Sequence, residues 1–218
     1  MKHQIDLTTW NRREHFAFFS AFEEPFFGVV AEVDAARAYA RAKALGVSFF
    51  QLYLHAVLRA VNVVEALRYR IEDGQVWCYD VVHASATLTR PDNTFGFSFV
   101  PYAPALADFG PGLQAEMAAV RQSSGLRLND VTARPDVIHF SAIPWLSFTG
   151  LTHARSFSYP DSVPKISVGR TRAEGQQLLM PVAVNAHHGL ADGYHVGLFF
   201  EQLQQALDSD ESAPGRSA

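Results

Sequence analysis

The sequence predicts an α/β fold in which helices cover a sheet, and three observations carry that expectation. Two helical patterns follow one another directly between residues 34 and 63. From Leu67 onward the period drops to two, with one further helix centred on Leu113, Met117 and Val120. Last, an apolar strand over Leu178–Asn185 passes through His187-His188-Gly189-Leu190-Ala191-Asp192-Gly193 into a final helix. Helices in succession, joined to strands with little room between them, bury their apolar sides on a common sheet.

The elements follow in order. Gly28–Val33 alternates as a strand, Asp34 suits the N-terminal cap of an Ala-rich helix, and Gly46 suits its stop. A second helix starts near Ser48, with Phe49, Leu52, Tyr53, Ala56, Val57, Ala60 and Val61 on its apolar side. Leu67–Ile71 and Val76–Tyr79 flank Asp73-Gly74, a strong hairpin signal. Strands are expected over Val81–Thr89 and Thr94–Val100, separated by a turn at Arg90-Pro91-Asp92-Asn93. After the helix that ends near Ser123-Ser124-Gly125, Val137–Ala142 alternates and sets Val137, His139 and Ser141 on one face, with Ile138, Phe140 and Ala142 on the other. Leu151–Pro164 reads as an irregular loop, and Lys165–Arg172 as a strand leading to the last one. One domain is expected over residues 1–207, followed by a disordered tail at 208–218 that lacks apolar side chains.

Composition narrows the function. With 218 residues and 48% hydrophobic content the chain has ample material for a core, and a net charge of −4 offers no footprint for nucleic acid. The N-terminus has no signal-peptide core and no apolar stretch reaches membrane-spanning length, so a cytoplasmic protein that does not bind membranes is expected. A single cysteine, Cys78, excludes an internal disulfide and reads as a small buried strand residue. Phenylalanine, at 17 residues, is plentiful enough to point to apolar pockets or a subunit interface.

The His187–Gly193 junction holds the chemistry. Met180, Val182, Val184, Ala186 and His188 share one face of the strand, so His188 points opposite to His187 and the two have different jobs. Asp192 stands at the N-cap of a helix whose buried face is Val196, Phe199, Phe200, Leu203 and Leu207. His187, His188, Asp192 and His195 crowd together, but adjacent strand histidines diverge and no zinc-type spacing completes a shell, so no metal is expected. A general base is the stronger reading of His188.

Taken together, the segments resemble the type A chloramphenicol acetyltransferase family. The matching stretches are Trp10-Asn11-Arg12-Arg13-Glu14-His15-Phe16, Leu67-Arg68-Tyr69-Arg70-Ile71 with Asp73-Gly74, Tyr79-Asp80-Val81-Val82-His83, Ser141-Ala142-Ile143-Pro144-Trp145 and the His-His-x-x-x-Asp-Gly run at His187–Gly193. The resemblance implies a two-layer sandwich with a mixed sheet covered by helices. It also implies a homotrimer with active sites between subunits and acetyl-CoA as co-substrate. Carried over residue by residue, His188 is the general base, Ser141 stabilises the oxyanion, and Arg12 and Asp192 form an ion pair that holds the site's shape. Phe18, Phe19, Phe95, Phe97, Leu151, His153 and Ser167 fall in the acceptor pocket, and Trp145 and Arg170 near the cofactor.

Acetyl transfer from a thioester to a hydroxyl needs a proton acceptor and an oxyanion donor, which His188 and Ser141 supply. The chain departs from the family pattern mainly in the acceptor pocket. Phe97 stands where the wall is normally small, His153 and Arg155 add polar groups where apolar ones are usual, Thr171 follows Arg170 in place of an aromatic residue, and His139 replaces an Asn or other small residue two residues before Ser141. The expected function is acetyl-CoA-dependent O-acetylation of a small molecule, with chloramphenicol as the first-choice acceptor. The competing readings are a different hydroxylated acceptor and a catalytically silent ligand-binding homologue.

Overall fold

The computed structural model describes residues 1–155 and 161–209. Its main sheet has the order β2(Phe26–Asp34)–β10(Gln177–His187)–β8(Lys165–Gly169)–β7(Val137–Ile143)–β5(His83–Thr89)–β6(Phe95–Phe97), with β9(Arg172–Glu174) also pairing β10. β5, β7 and β8 run parallel and the other pairings are antiparallel, so the sheet is mixed as expected.

The two faces differ in chemistry. One carries Ile138, Phe140, Ile166, Val168, Met180, Val182, Val184 and Ala186, all buried in the core. Onto this face pack α2(Ala36–Leu45), α3(Phe49–Val63), α4(Leu106–Arg121) and α5(Gly193–Asp208). α3 is the central helix: Phe50 and Tyr53 meet Phe140 of the sheet, and its buried set extends beyond the predicted stripe to Gln51, Leu54, His55 and Leu58. A buried His there needs a partner, and the His55 ring lies 3.0 Å from the Ala103 carbonyl. The Ser48 hydroxyl accepts the Gln51 N–H at 3.1 Å, a cap worth about 1 kcal/mol. Asp34 Oδ1 accepts the Ala36 N–H at 3.0 Å, and α2 ends at Gly46 as expected.

The opposite face is small and polar. Ladder register lines up Ser85 with His139 and Lys165, and Ser141 with Ser167 and Ala183.

Four features differ from the sequence expectations. The Asp73-Gly74 hairpin forms, with both residues at positive φ (51° and 74°), but its strands β3(Tyr69–Glu72) and β4(Gln75–Tyr79) join β1(Lys2–Gln4) in a separate three-stranded sheet. β1 is exposed at all three residues, so it has no apolar alternation to betray it. The strand expected over Thr94–Val100 shrinks to Phe95–Phe97 plus one bridge from Val100 to Ala84. The strand expected over Lys165–Arg172 stops at Gly169, and Arg172 opens β9. The polar tail falls mostly at 210–218, outside the described residues; Asp208 still belongs to α5.

Arg70, 1% exposed, ties the small sheet to the large one. Its guanidinium donates to the carbonyls of Leu67, Tyr69, Pro135 and Val137 at 2.6–2.9 Å, so a buried charge is fully solvated by backbone, and burial lowers its pKa to about 10. This clamp grips the start of β7, the strand that carries Ser141.

Candidate active site

β10 delivers two histidines to different environments. His187, 5% exposed, accepts the Gly189 N–H at Nδ1 (3.1 Å) and meets the Phe26 ring edge-on at 5.7 Å. Burial, reinforced by the nearby Arg155 guanidinium, pushes its pKa down to about 4, so it is neutral and serves to fasten the turn. His188, one residue past the strand, turns to the helix-bearing side. Its ring stacks on Phe19 of α1(Arg13–Phe19) at 4.0 Å with the planes 2° apart, and Phe27 closes the other approach at 4.5 Å. Its backbone N–H donates to the Pro25 carbonyl at 2.8 Å. The buried Nδ1 has no hydrogen-bond partner among the described residues, so no carboxylate stands behind the imidazole.

Asp192 is occupied elsewhere. Oδ2 accepts Arg12 Nη1 at 2.5 Å, Oδ1 accepts the Tyr194 N–H at 3.1 Å, and His195 Nδ1 lies 2.8 Å from Oδ1. Burial alone would raise this carboxyl's pKa; the hydrogen bonds from Arg12 and His195 outweigh it and bring the value to about 2. Arg12 Nη2 also reaches the His188 carbonyl at 3.3 Å. The pair thus ties α1, the His188 turn and the start of α5 together, and a protease-style dyad of His188 with Asp192 does not form.

Ser141 sits on the polar face of the sheet. Its hydroxyl is 3.2 Å from that of Thr87, its ladder partner is Ser167, and the Ser167 hydroxyl is 3.5 Å from His153 Nε2. Phe97 pairs with Thr87 on the same face, so Phe97, Thr87, Ser141, Ser167 and His153 form one row. Phe95 follows at the sheet edge, 44% exposed.

The expected site residues therefore fall into two groups. Phe18, Phe19, His188, Arg12 and Asp192 gather on the helix-bearing side at the β2–β10 end. Ser141, Ser167, His153, Phe95 and Phe97 lie on the other face, with β6 four strand spacings from β10, about 19 Å away. Trp145 is 64% exposed beyond β7, where the Arg170 N–H donates to the Leu146 carbonyl at 2.7 Å, placing the two expected cofactor residues at one end of the sheet. Leu151 lies half-buried in the loop after β7; residues 156–160 of the loop expected over 151–164 lie outside the described residues. Arg155 pairs with Glu24, lies 3.6 Å over the Phe26 ring and is close enough to His187 to lower its pKa. Thr87 and Phe27 escaped the sequence reading, because only ladder register brings Thr87 to Ser141 and Phe27 beside Ala186 and His188.

Among the described residues no group of three or more His, Cys, Asp or Glu is arranged to hold a metal ion, and no helix is long and apolar enough to cross a membrane.

Comparison with known proteins places this architecture among acetyltransferases. A structure of dihydrolipoamide acetyltransferase from Azotobacter vinelandii superimposes with a TM-score of 0.65 over 90% of this chain and 86% of that one, at 14% identity, a likeness of fold alone. The chain itself belongs to the chloramphenicol acetyltransferase family, whose model matches residues 1–204, and it is an acyltransferase. A solved chloramphenicol acetyltransferase is similar at TM-score 0.88 and 32% identity, covering 95% of this chain and all of that one. Chloramphenicol acetyltransferases 2 and 3 of Escherichia coli are 28% and 27% identical, each over 94% of this chain and 97% of theirs.

Proposed function

We propose that this protein transfers the acetyl group of acetyl-CoA to a hydroxyl of chloramphenicol, in the cytoplasm, as a homotrimer whose sites lie between subunits. Family membership over nearly the whole chain supports the reaction. The observation that carries the arrangement is the split of the site: His188 turns to one side of the sheet and Ser141 to the other, so one chain's base and its own oxyanion donor do not converge. A neighbouring copy that presents its Ser141 face to His188 completes the pair. The exposed rings of Phe18, Phe22, Phe95 and Trp145 (44–64%) supply apolar surface for such contacts and for substrate.

In this reading His188 takes the proton of the acceptor hydroxyl as its oxygen attacks the thioester carbonyl. The Ser141 hydroxyl donates to the oxyanion of the tetrahedral intermediate, with Thr87 fixing its rotamer. Collapse expels the CoA thiolate, which takes the proton from the imidazolium. Stacking on Phe19 and a tilted contact with Phe27 hold the ring, and the Arg12–Asp192 pair holds the turn that bears it. The experiment is release of free CoA thiol from acetyl-CoA with and without chloramphenicol. Release that depends on the acceptor and vanishes in His188→Ala supports the proposal. No release with chloramphenicol but release with another alcohol would move the acceptor assignment to the Phe97, His153 and Arg155 substitutions.

A further inference from the structure

On the far side of the Arg12–Asp192 pair from His188, a cleft of about 570 Å³ opens between the Trp10–Arg12 segment, the 3₁₀ turn Glu65–Arg68 and the first two turns of α5. This is the size range of small-molecule sites. Arg12 and Asp192 line it, whereas His188, Ser141 and the expected acceptor and cofactor residues do not.

Its walls are aromatic and apolar. Trp10 and Tyr69 meet edge to face at 5.5 Å, Val63, Ala66 and Leu198 add apolar wall, Asn11 and Gln202 add polar wall, and Tyr194, 70% exposed, stands at the rim. Its charges do not cancel. The lining holds two carboxylates, Asp192 and Glu65, one guanidinium, Arg12, and the imidazole of His195, and Arg12 and His195 both lie against Asp192. Arg12 is committed to Asp192, whereas Glu65, with its side chain 60% exposed, accepts the Tyr69 hydroxyl and has Arg68, at 4.0 Å, as its one cationic partner among the described residues. Aromatic faces beside a carboxylate favour a flat cation, which gains both from the ring quadrupoles and from the negative charge. An anion would meet Glu65 with neither benefit.

We infer that this cleft is a second ligand site, distinct from the acetyl-transfer centre, for planar aromatic molecules that carry an ammonium or amidinium-type cation. The cation sits against Glu65 and the ring system lies between Trp10 and Tyr194.

The test is a fluorescence-polarisation titration of the full chain with 9-aminoacridine, a three-ring cation at neutral pH, and with acridine-9-carboxylate, the same rings bearing the opposite charge. The cation is expected to saturate with a Kd of about 500 µM or tighter, and the anion to bind at least about tenfold more weakly. Glu65→Gln is expected to weaken the cation about threefold or more. Tyr194→Ala, at an exposed rim position, is expected to do so as well and stands in should Glu65→Gln lose its fold. Saturating chloramphenicol and acetyl-CoA are expected to leave the titration unchanged. Equal binding of the two probes, binding that ignores both substitutions, displacement by either substrate, or no saturation by roughly 2 mM overturns the inference. Because the readout is binding and not turnover, it fails or succeeds independently of the acetyl-transfer reading.

Discussion

Asp192→Asn separates a structural ion pair from a chemical one. An asparagine keeps a side-chain oxygen for the Tyr194 N–H and caps a helix about as well as aspartate, but its amide nitrogen replaces Oδ2, so the substitution removes the charge together with the acceptor of the Arg12 guanidinium. What remains is the Arg12 guanidinium, whose side chain is only 11% exposed, without its counter-ion. Removing one partner of a fully buried pair costs about 3–5 kcal/mol. Because Asp192 is itself 30% exposed, solvent screening reduces this to about 2–3 kcal/mol. Titration gives a similar figure: a carboxyl at about 2 when folded, against about 3.9 unfolded, contributes on the order of 2.5 kcal/mol. The folded pKa is the lower one, so this stability is present above about pH 4 and disappears as pH falls toward 2. For a chain of this length the loss corresponds to a Tm lower by about 4–12 °C at pH 7. Thermal unfolding at pH 7 and at stepwise lower pH is the assay, beside kcat at a temperature where both proteins are folded. The variant is expected to lose Tm at neutral pH and part of the wild-type acid sensitivity, with a modest fall in kcat. An unchanged Tm with kcat down about a thousandfold would refute the argument and put Asp192 in the chemistry.

Other outcomes follow from the same geometry. Thr87→Val leaves Ser141 without its hydroxyl neighbour and is expected to lower kcat about tenfold, because the donor is then free to rotate away; steady-state kinetics read this against an unchanged acetyl-CoA KM. Lowering the pH from 7 to 5 is expected to reduce Tm partly through His187, whose folded value of about 4 lies below the unfolded one, so that stability held above about pH 6.5 is lost as pH falls; His187→Asn is expected to flatten that slope. Phe199→Ala, at a 0% exposed position of α5, is expected to cost about 3–5 kcal/mol in denaturant unfolding without changing the substrate KM values of the folded fraction. Phe97→Ala opens the row that runs through Ser141 and is expected to raise chloramphenicol kcat/KM if that ring narrows the pocket; a loss would show the acceptor built around the ring.

Much of the fold was legible where local chemistry and periodicity agree. Ser48, Gly46 and Asp73-Gly74 mark boundaries through hydrogen bonds and φ values that neighbouring sequence alone decides. The alternation of Val137–Ala142 placed Ser141 on its face, and the change of period from Asp192 onward placed the turn. What escaped depends on partners distant in sequence. β1 is three exposed residues that become a strand only by pairing β4, and the hairpin that it joins has no local reason to leave the main sheet. Arg70 read as part of a motif, yet its burial is intelligible only once the carbonyls of Pro135 and Val137 arrive 65 and 67 residues later. For the candidate site, the residues and the family resemblance pointed to His188, Ser141 and an Arg12–Asp192 pair, and the structure shows that pair in contact, whereas Thr87, Phe27 and the separation of the two groups came from register.

The most direct test of the proposed function is complementation between two inactive variants, His188→Ala and Ser141→Ala. Each alone is expected to lose about 10²-fold or more of chloramphenicol-dependent CoA release. Co-expressed in equal amounts and purified as mixed assemblies, they place an intact His188 beside an intact Ser141 of a neighbour at about one site in four, so about a quarter of wild-type activity is expected to return. Activity no higher than that of the separate variants would contradict a site shared between copies.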